Sequence, residues 1–79
     1  MRVIKNFQVG NCLVSVFVWN EKYIIKFEQD ELEQTYKIRK IDIISEDDLI
    51  GTLQEAAFIT KIEARFEAMR QDWYEHVLF

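Results

Sequence analysis

The chain has 79 residues, so a single domain is expected, and a domain of this size buries only roughly 60% of its unfolded surface. Hydrophobic residues make up 49% and charged residues 30%, a balance that excludes a disordered chain, and no apolar run approaches the ~18 residues of a membrane span. Net charge is −4 and uneven: residues 1–44 set seven basic residues against six acids, whereas residues 45–79 set three against eight, a net of −5.

There is no proline and there are only two glycines, so no linker divides the chain. The reading is one α+β domain over 1–79, with an antiparallel sheet in 1–44 and a helical part in 45–79. The opening stretch MRVIKNFQVG lacks the continuous apolar core of a secretory leader. Cys12 is the single cysteine, whereas small secreted domains rely on several disulfides. Both features point to a cytoplasmic protein.

The first element pair is FQVGNCLV, in which Gly10-Asn11 separates two apolar runs. Glycine accepts positive φ at the first corner of a two-residue hairpin turn. With that turn Val9 faces Cys12, Phe7 faces Val14 and Ile4 faces Phe17, and opposed residues share a face. One face then holds Val3, Phe7, Val9, Cys12, Val14, Val16 and Val18. The other holds Arg2, Ile4, Asn6, Gln8, Leu13, Ser15, Phe17 and Trp19.

The next turn falls at Asn20-Glu21. A two-residue connection there opposes Val18 to Tyr23, Val16 to Ile25 and Val14 to Phe27, which completes an apolar layer on the first face. The second face gains Lys22, Ile24, Lys26 and Glu28. A three-residue turn would exchange the two sets, because a slip of one residue turns every side chain over. The two-residue register is chosen because it gathers the apolar residues. QDELEQ then breaks the pattern with charge, and TYKIRKIDII reads as a fourth strand with Tyr36 and Ile38 inward, Lys37 and Arg39 outward, and an end or bulge near Lys40.

SEDDLIGTLQE carries helix-start signals. Ser45 and Asp48 resemble a capping box, with acids in the first turn to suit the helix dipole. Gly51 reads as an interruption and Thr52 with Glu55 as a second cap. The expectation is a short helical turn at 46–50 and a long helix from about 53 to 77, with one continuous helix from 46 as the alternative. Phe58, Ile59, Ile62, Phe66, Met69, Trp73 and Val77 fall on one stripe of that helix. Such a helix outruns a sheet of seven- or eight-residue strands, which leaves Trp73, Val77, Leu78 and Phe79 as an apolar end for a second chain to cover.

Residues with chemical potential are few. Cys12 on the inward face reads as an inert buried thiol, since no basic neighbour is in view to lower its pKa. His76, one turn after Asp72 and beside Glu75, is too small a set to define a metal site. SEDD lacks the alternating spacing of a calcium loop. Gly10 and Gly51 stand alone, so no phosphate-cradling loop is present. No catalytic, cofactor or metal residue is assigned, and a non-catalytic protein is expected.

The outward sheet face is the informative surface. It places Ile4, Leu13, Phe17, Trp19 and Ile24 among basic residues, and with Trp73 and Val77 these form the candidate interface. Protein interfaces favour aromatic residues and arginine. The expected function is therefore a small interaction module, most simply a homodimer. The competing reading is a single-stranded nucleic-acid platform of Arg2, Phe17, Trp19, Lys22, Lys26, Lys37 and Arg39, with bases stacked on the aromatics. The acidic composition weighs against it. Two further alternatives are a subunit of a larger complex and a different register in which these residues are core. A meander followed by one helix is too general to carry a function across.

Overall fold

The computed structural model describes residues 1–78; Phe79 lies outside them. Four antiparallel strands form one sheet in the order β1-β2-β3-β4: β1 Arg2–Val9, β2 Cys12–Trp19, β3 Lys22–Gln29 and β4 Leu32–Arg39. A 3₁₀ turn at Lys40–Asp42 ends the last strand. Two helices follow, α1 Glu46–Leu53 and α2 Ala56–His76. The domain is a two-layer α+β fold with the helices on one sheet face.

Three two-residue turns make the sheet a meander. Gly10 has φ of +58°, which glycine adopts freely. Asn20 and Glu21 both have positive φ, +55° and +64°, the pattern of the hairpin turn whose twist matches the strands. Asp30 opens the third turn at +54°. The expected β2–β3 register holds throughout, with Val14 opposite Phe27, Val16 opposite Ile25 and Val18 opposite Tyr23. In β4, Tyr36 pairs with Ile25 and Ile38 with Tyr23, so both take the inward parity.

The first hairpin departs from expectation at one residue. Phe7 opposes Val14 and Val9 opposes Cys12, but the ladder shifts between Val3 and Lys5. Ile4 is the extra residue of a β-bulge, and Val3, not Ile4, stands opposite Phe17. The bulge reverses the start of the strand. Val3 is exposed and Ile4 packs against the core, while Arg2 pairs with Val18 on the inward parity.

The core lies between the sheet and both helices. Cys12, Val14, Val16, Tyr23, Ile25 and Phe27 meet Leu53, Ile59, Ile62 and Phe66. Ser45 caps α1 by accepting a hydrogen bond from the Asp48 backbone N–H at 3.1 Å. The helix does not break at Gly51. It runs on to Leu53, and the break falls at Gln54-Glu55. Thr52 is therefore inside α1, not a cap, and Glu55 precedes α2 without a side-chain capping bond. Leu53, off the stripe of a continuous helix, is buried because the break turns α1 so that it faces the sheet.

Two polar contacts pin α2 to the sheet. Buried Gln34 donates to the Ile62 carbonyl at 3.0 Å and accepts from Tyr36 Oη at 2.8 Å and Arg65 at 3.2 Å. Arg70 binds Gln29 Oε1 and lies 3.7 Å from Asp30 at the last hairpin turn. Beyond Arg70 the stripe runs past the sheet, and Trp73 and Val77 are exposed. At about 1.5 Å per residue, α2 is ~31 Å long against ~26 Å for an eight-residue strand. No helix among the described residues is long and apolar enough to cross a membrane.

Candidate interaction surface

Both helices pack on the inward face, so none of the described elements covers the other. Its residues follow from the register in four cross-strand ranks. Trp19, Lys22 and Arg39 lie at one end, followed by Val3, Phe17, Ile24 and Lys37. Next come Asn6, Ser15, Lys26 and Thr35, and the far end carries Gln8, Leu13, Glu28 and Glu33. Alternation along each strand puts these side chains opposite the core set.

The apolar members are large and incompletely covered. Trp19 keeps 53% of its surface in solvent, Val3 52% and Leu13 47%; Phe17 and Ile24, on the two central strands, are half-buried by their neighbours. The Lys26 ammonium stands 5.9 Å from the Phe17 ring centroid, its stem shielding part of the ring. Lys26 is also 3.7 Å from Glu28, and Arg39 pairs with Asp42 at 2.9 Å. Lys22 and Lys37 make no ion pair among the described residues.

The structure brings together Leu13, Phe17, Trp19 and Ile24 on this face, with Lys22, Lys26, Lys37 and Arg39 around them. It removes two expected members. Ile4 is turned into the core side by the bulge, and Arg2 by the same shift. Arg2 pairs with Val18, which in turn opposes Tyr23, so it takes the parity of the helix-covered face. Val3 takes the place expected for Ile4. No local signal marks the exchange, because Val3 and Ile4 are both β-branched and neither glycine nor proline stands nearby.

Trp73 and Val77 lie apart from the sheet face, at the far end of α2. Trp73 stands between two shallow clefts, one reaching Leu32, Met69 and Val77, the other Leu32, Tyr74 and Leu78. Tyr74 is exposed there too, and the stripe reading passed over it because it sits beside the stripe. Asp72, Glu75 and His76 bring one potential ligand atom each within 4.8 Å of the others, all three exposed on one helix end.

Elsewhere, Cys12 is fully buried, and burial first, then the Glu63 carboxylate, pushes its thiol above the ordinary value of 9.0. That environment opposes thiolate chemistry. Burial, with the Glu46 carboxylate 3.4 Å away, likewise raises the Tyr23 phenol above 10.0, and Arg2 pulls it the other way. The acids of SEDD serve the first turn of α1. No family, curated protein or solved structure matches the chain.

Proposed function

We propose that this chain is a small, non-catalytic protein-interaction module that associates with a second copy of itself through the uncovered face of its sheet. The observation that carries the reading is the apolar group Val3, Leu13, Phe17, Trp19 and Ile24 on a face that no helix of the described chain reaches. Fully burying one such side chain is worth roughly 1.5–3 kcal/mol, and a domain of this size has little stability to spare. Association recovers that energy where an open platform leaves it in water. The buried, unpaired Cys12 suits a reducing compartment such as the cytoplasm.

Nucleic acid is the weaker reading. Glu28 and Glu33 share the face with the basic residues, Arg2 is on the other side, and the net charge is −4. A polyanion laid along the strands meets like charge at the rank of Glu28 and Glu33. A second reading has its own support. The exposed Trp73, Tyr74, Val77 and Leu78 at the end of α2 suit contact with a different chain, as in a subunit of a larger assembly.

Absolute molar mass over a wide dilution series tests the proposal. The expected result is a mass near twice the 9.5 kDa of the chain that falls towards 9.5 kDa on dilution. The double substitution Phe17→Ser with Trp19→Ser should hold the mass at the monomer value while circular dichroism keeps the native spectrum. A wild-type monomer at every concentration overturns the reading. A loss of fold in the double variant would identify both residues as structural instead.

A further inference from the structure

The uncovered face has a polarity that its composition hides. On β3, Lys22 stands at one end and Glu28 at the other; on β4, Lys37 and Arg39 stand at the same end as Lys22, and Glu33 opposite. The central strand β2 repeats the arrangement in apolar form, with Trp19 at the cationic end and Leu13 at the acidic end. Between them Ser15 is buried and small, which leaves the middle of β2 low beside the taller Phe17.

We propose that two copies pack these faces together with their strands reversed, about a two-fold axis that lies between the sheets and crosses the strands near their midpoints. The proposal rests on the homodimeric reading above and adds the orientation to it. Such an axis sets each strand over its own counterpart, end over end. Trp19 then meets the partner's Leu13, Lys22 meets the partner's Glu28, and Arg39 meets the partner's Glu33. Phe17 drops over the low position at the partner's Ser15. Every contact occurs twice, as an isologous interface requires.

The other two-fold axis available to a face-to-face dimer runs along the strands. It sets β3 over the partner's β2 and β4 over the partner's β1, so Lys22, Arg39, Glu28 and Glu33 lie over uncharged residues, the two cationic ends stand side by side, and none of the opposite-charge contacts forms. Edge-to-edge pairing through β1 meets the bulge at Ile4, which interrupts the ladder where a second strand would add.

The area makes this charge pattern decisive. Eight-residue strands about 26 Å long, four abreast at ~4.8 Å, present about 500 Å² per copy and ~1,000 Å² together. That is the lower end for specific association. Either axis buries the apolar group, so the charges decide between them. The resulting dimer is weak, concentration-dependent and sensitive to salt.

Charge reversal tests the orientation. One variant carries Lys22→Glu and Arg39→Glu, the other Glu28→Lys and Glu33→Lys. Each alone should self-associate at least about tenfold more weakly than the wild type, because reversal places like charges across the interface. Mixing the two should restore a dimer, identified by native mass spectrometry as the mixed species. Should each variant dimerise as tightly as the wild type, or the mixture show no preference for the mixed species, this orientation is overturned while the homodimer stands. A wild-type monomer at all concentrations overturns both. A second measurement avoids dependence on charge: Leu13→Cys and Trp19→Cys single variants, mixed, should cross-link through a short bis-maleimide, and neither alone should. The buried Cys12 supplies the unreactive background, checked on the wild type. Cross-linking of either single variant alone, equal to that of the mixture, counts against the reversed strands.

Discussion

Replacing Glu21 by glycine should stabilise the fold. Glu21 is held at φ of +64°, and Asn20 before it at +55°. A left-handed backbone costs an ordinary L-residue about 1–2 kcal/mol, less for asparagine, whose short amide tolerates it. Glutamate has no such relief. Glycine removes the strain but loses ~0.5–1 kcal/mol through the greater freedom of the unfolded chain. The Glu21 carbonyl still accepts the Lys40 N–H at 3.0 Å, since that bond belongs to the backbone. The net gain should be about 0.5–1 kcal/mol, a rise in Tm of roughly 2–8 °C for a domain of this length. Glu21→Gln is the control, because it removes the charge and keeps the backbone restriction. Thermal unfolding followed by circular dichroism gives the comparison. If Glu21→Gly is no more stable than Glu21→Gln, the turn does not store the strain described and the reasoning fails.

Phe66, fully buried between α2 and the sheet, should cost about 3–5 kcal/mol when changed to alanine, a large share of the ~4–12 kcal/mol expected of 79 residues. Urea unfolding measures it, and a loss under ~1 kcal/mol would mean that α2 does not dock through this ring. Stability should also fall in alkali. The Cys12 thiol and Tyr23 phenol are raised above 9.0 and 10.0 in the fold, so as pH climbs through those values the unfolded chain releases its protons first. It then binds fewer protons than the native state, and unfolding becomes easier with each further step in pH. The contribution is intact below pH 9 and lost above it. Urea midpoints at pH 8 and pH 10.5 should differ in the wild type and differ less in Cys12→Ala; equal differences would remove the thiol from the account.

How far these elements were legible depends on how many side chains vote for each one. The β2–β3 register rests on three apolar pairs, and a slip would have turned the three of one strand away from the three of the other, so the alternation alone selects the turn at Asn20-Glu21 even though glutamate is a poor residue for it. The bulge at Ile4 rests on a single residue near a strand end. Exchanging Val3 for Ile4 leaves one β-branched side chain on each face, so no pattern detects it. Gly51 misled for the opposite reason. Glycine weakens a helix by only ~1 kcal/mol, and here the backbone faces open space, so packing of Leu49, Ile50 and Leu53 on the core carries α1 through it. Gln34 was hidden within a charged stretch, and only the fold brings it under α2. On the uncovered face, Leu13, Phe17, Trp19 and Ile24 were legible because they sit in the well-determined central strands, while Ile4 and Arg2 were lost with the edge.

The meander also sets an order of events. Each strand pairs only with its neighbour in sequence, through turns of two residues, so the sheet closes over short loops at little entropic cost. During synthesis all four strands leave the ribosome before α2 is complete. Until that helix arrives, Val14, Val16 and Phe27 are as bare on one side as Phe17 and Trp19 are on the other, and the nascent sheet is sticky on both. Docking of the last third of the chain is what turns a two-sided adhesive into a one-sided one.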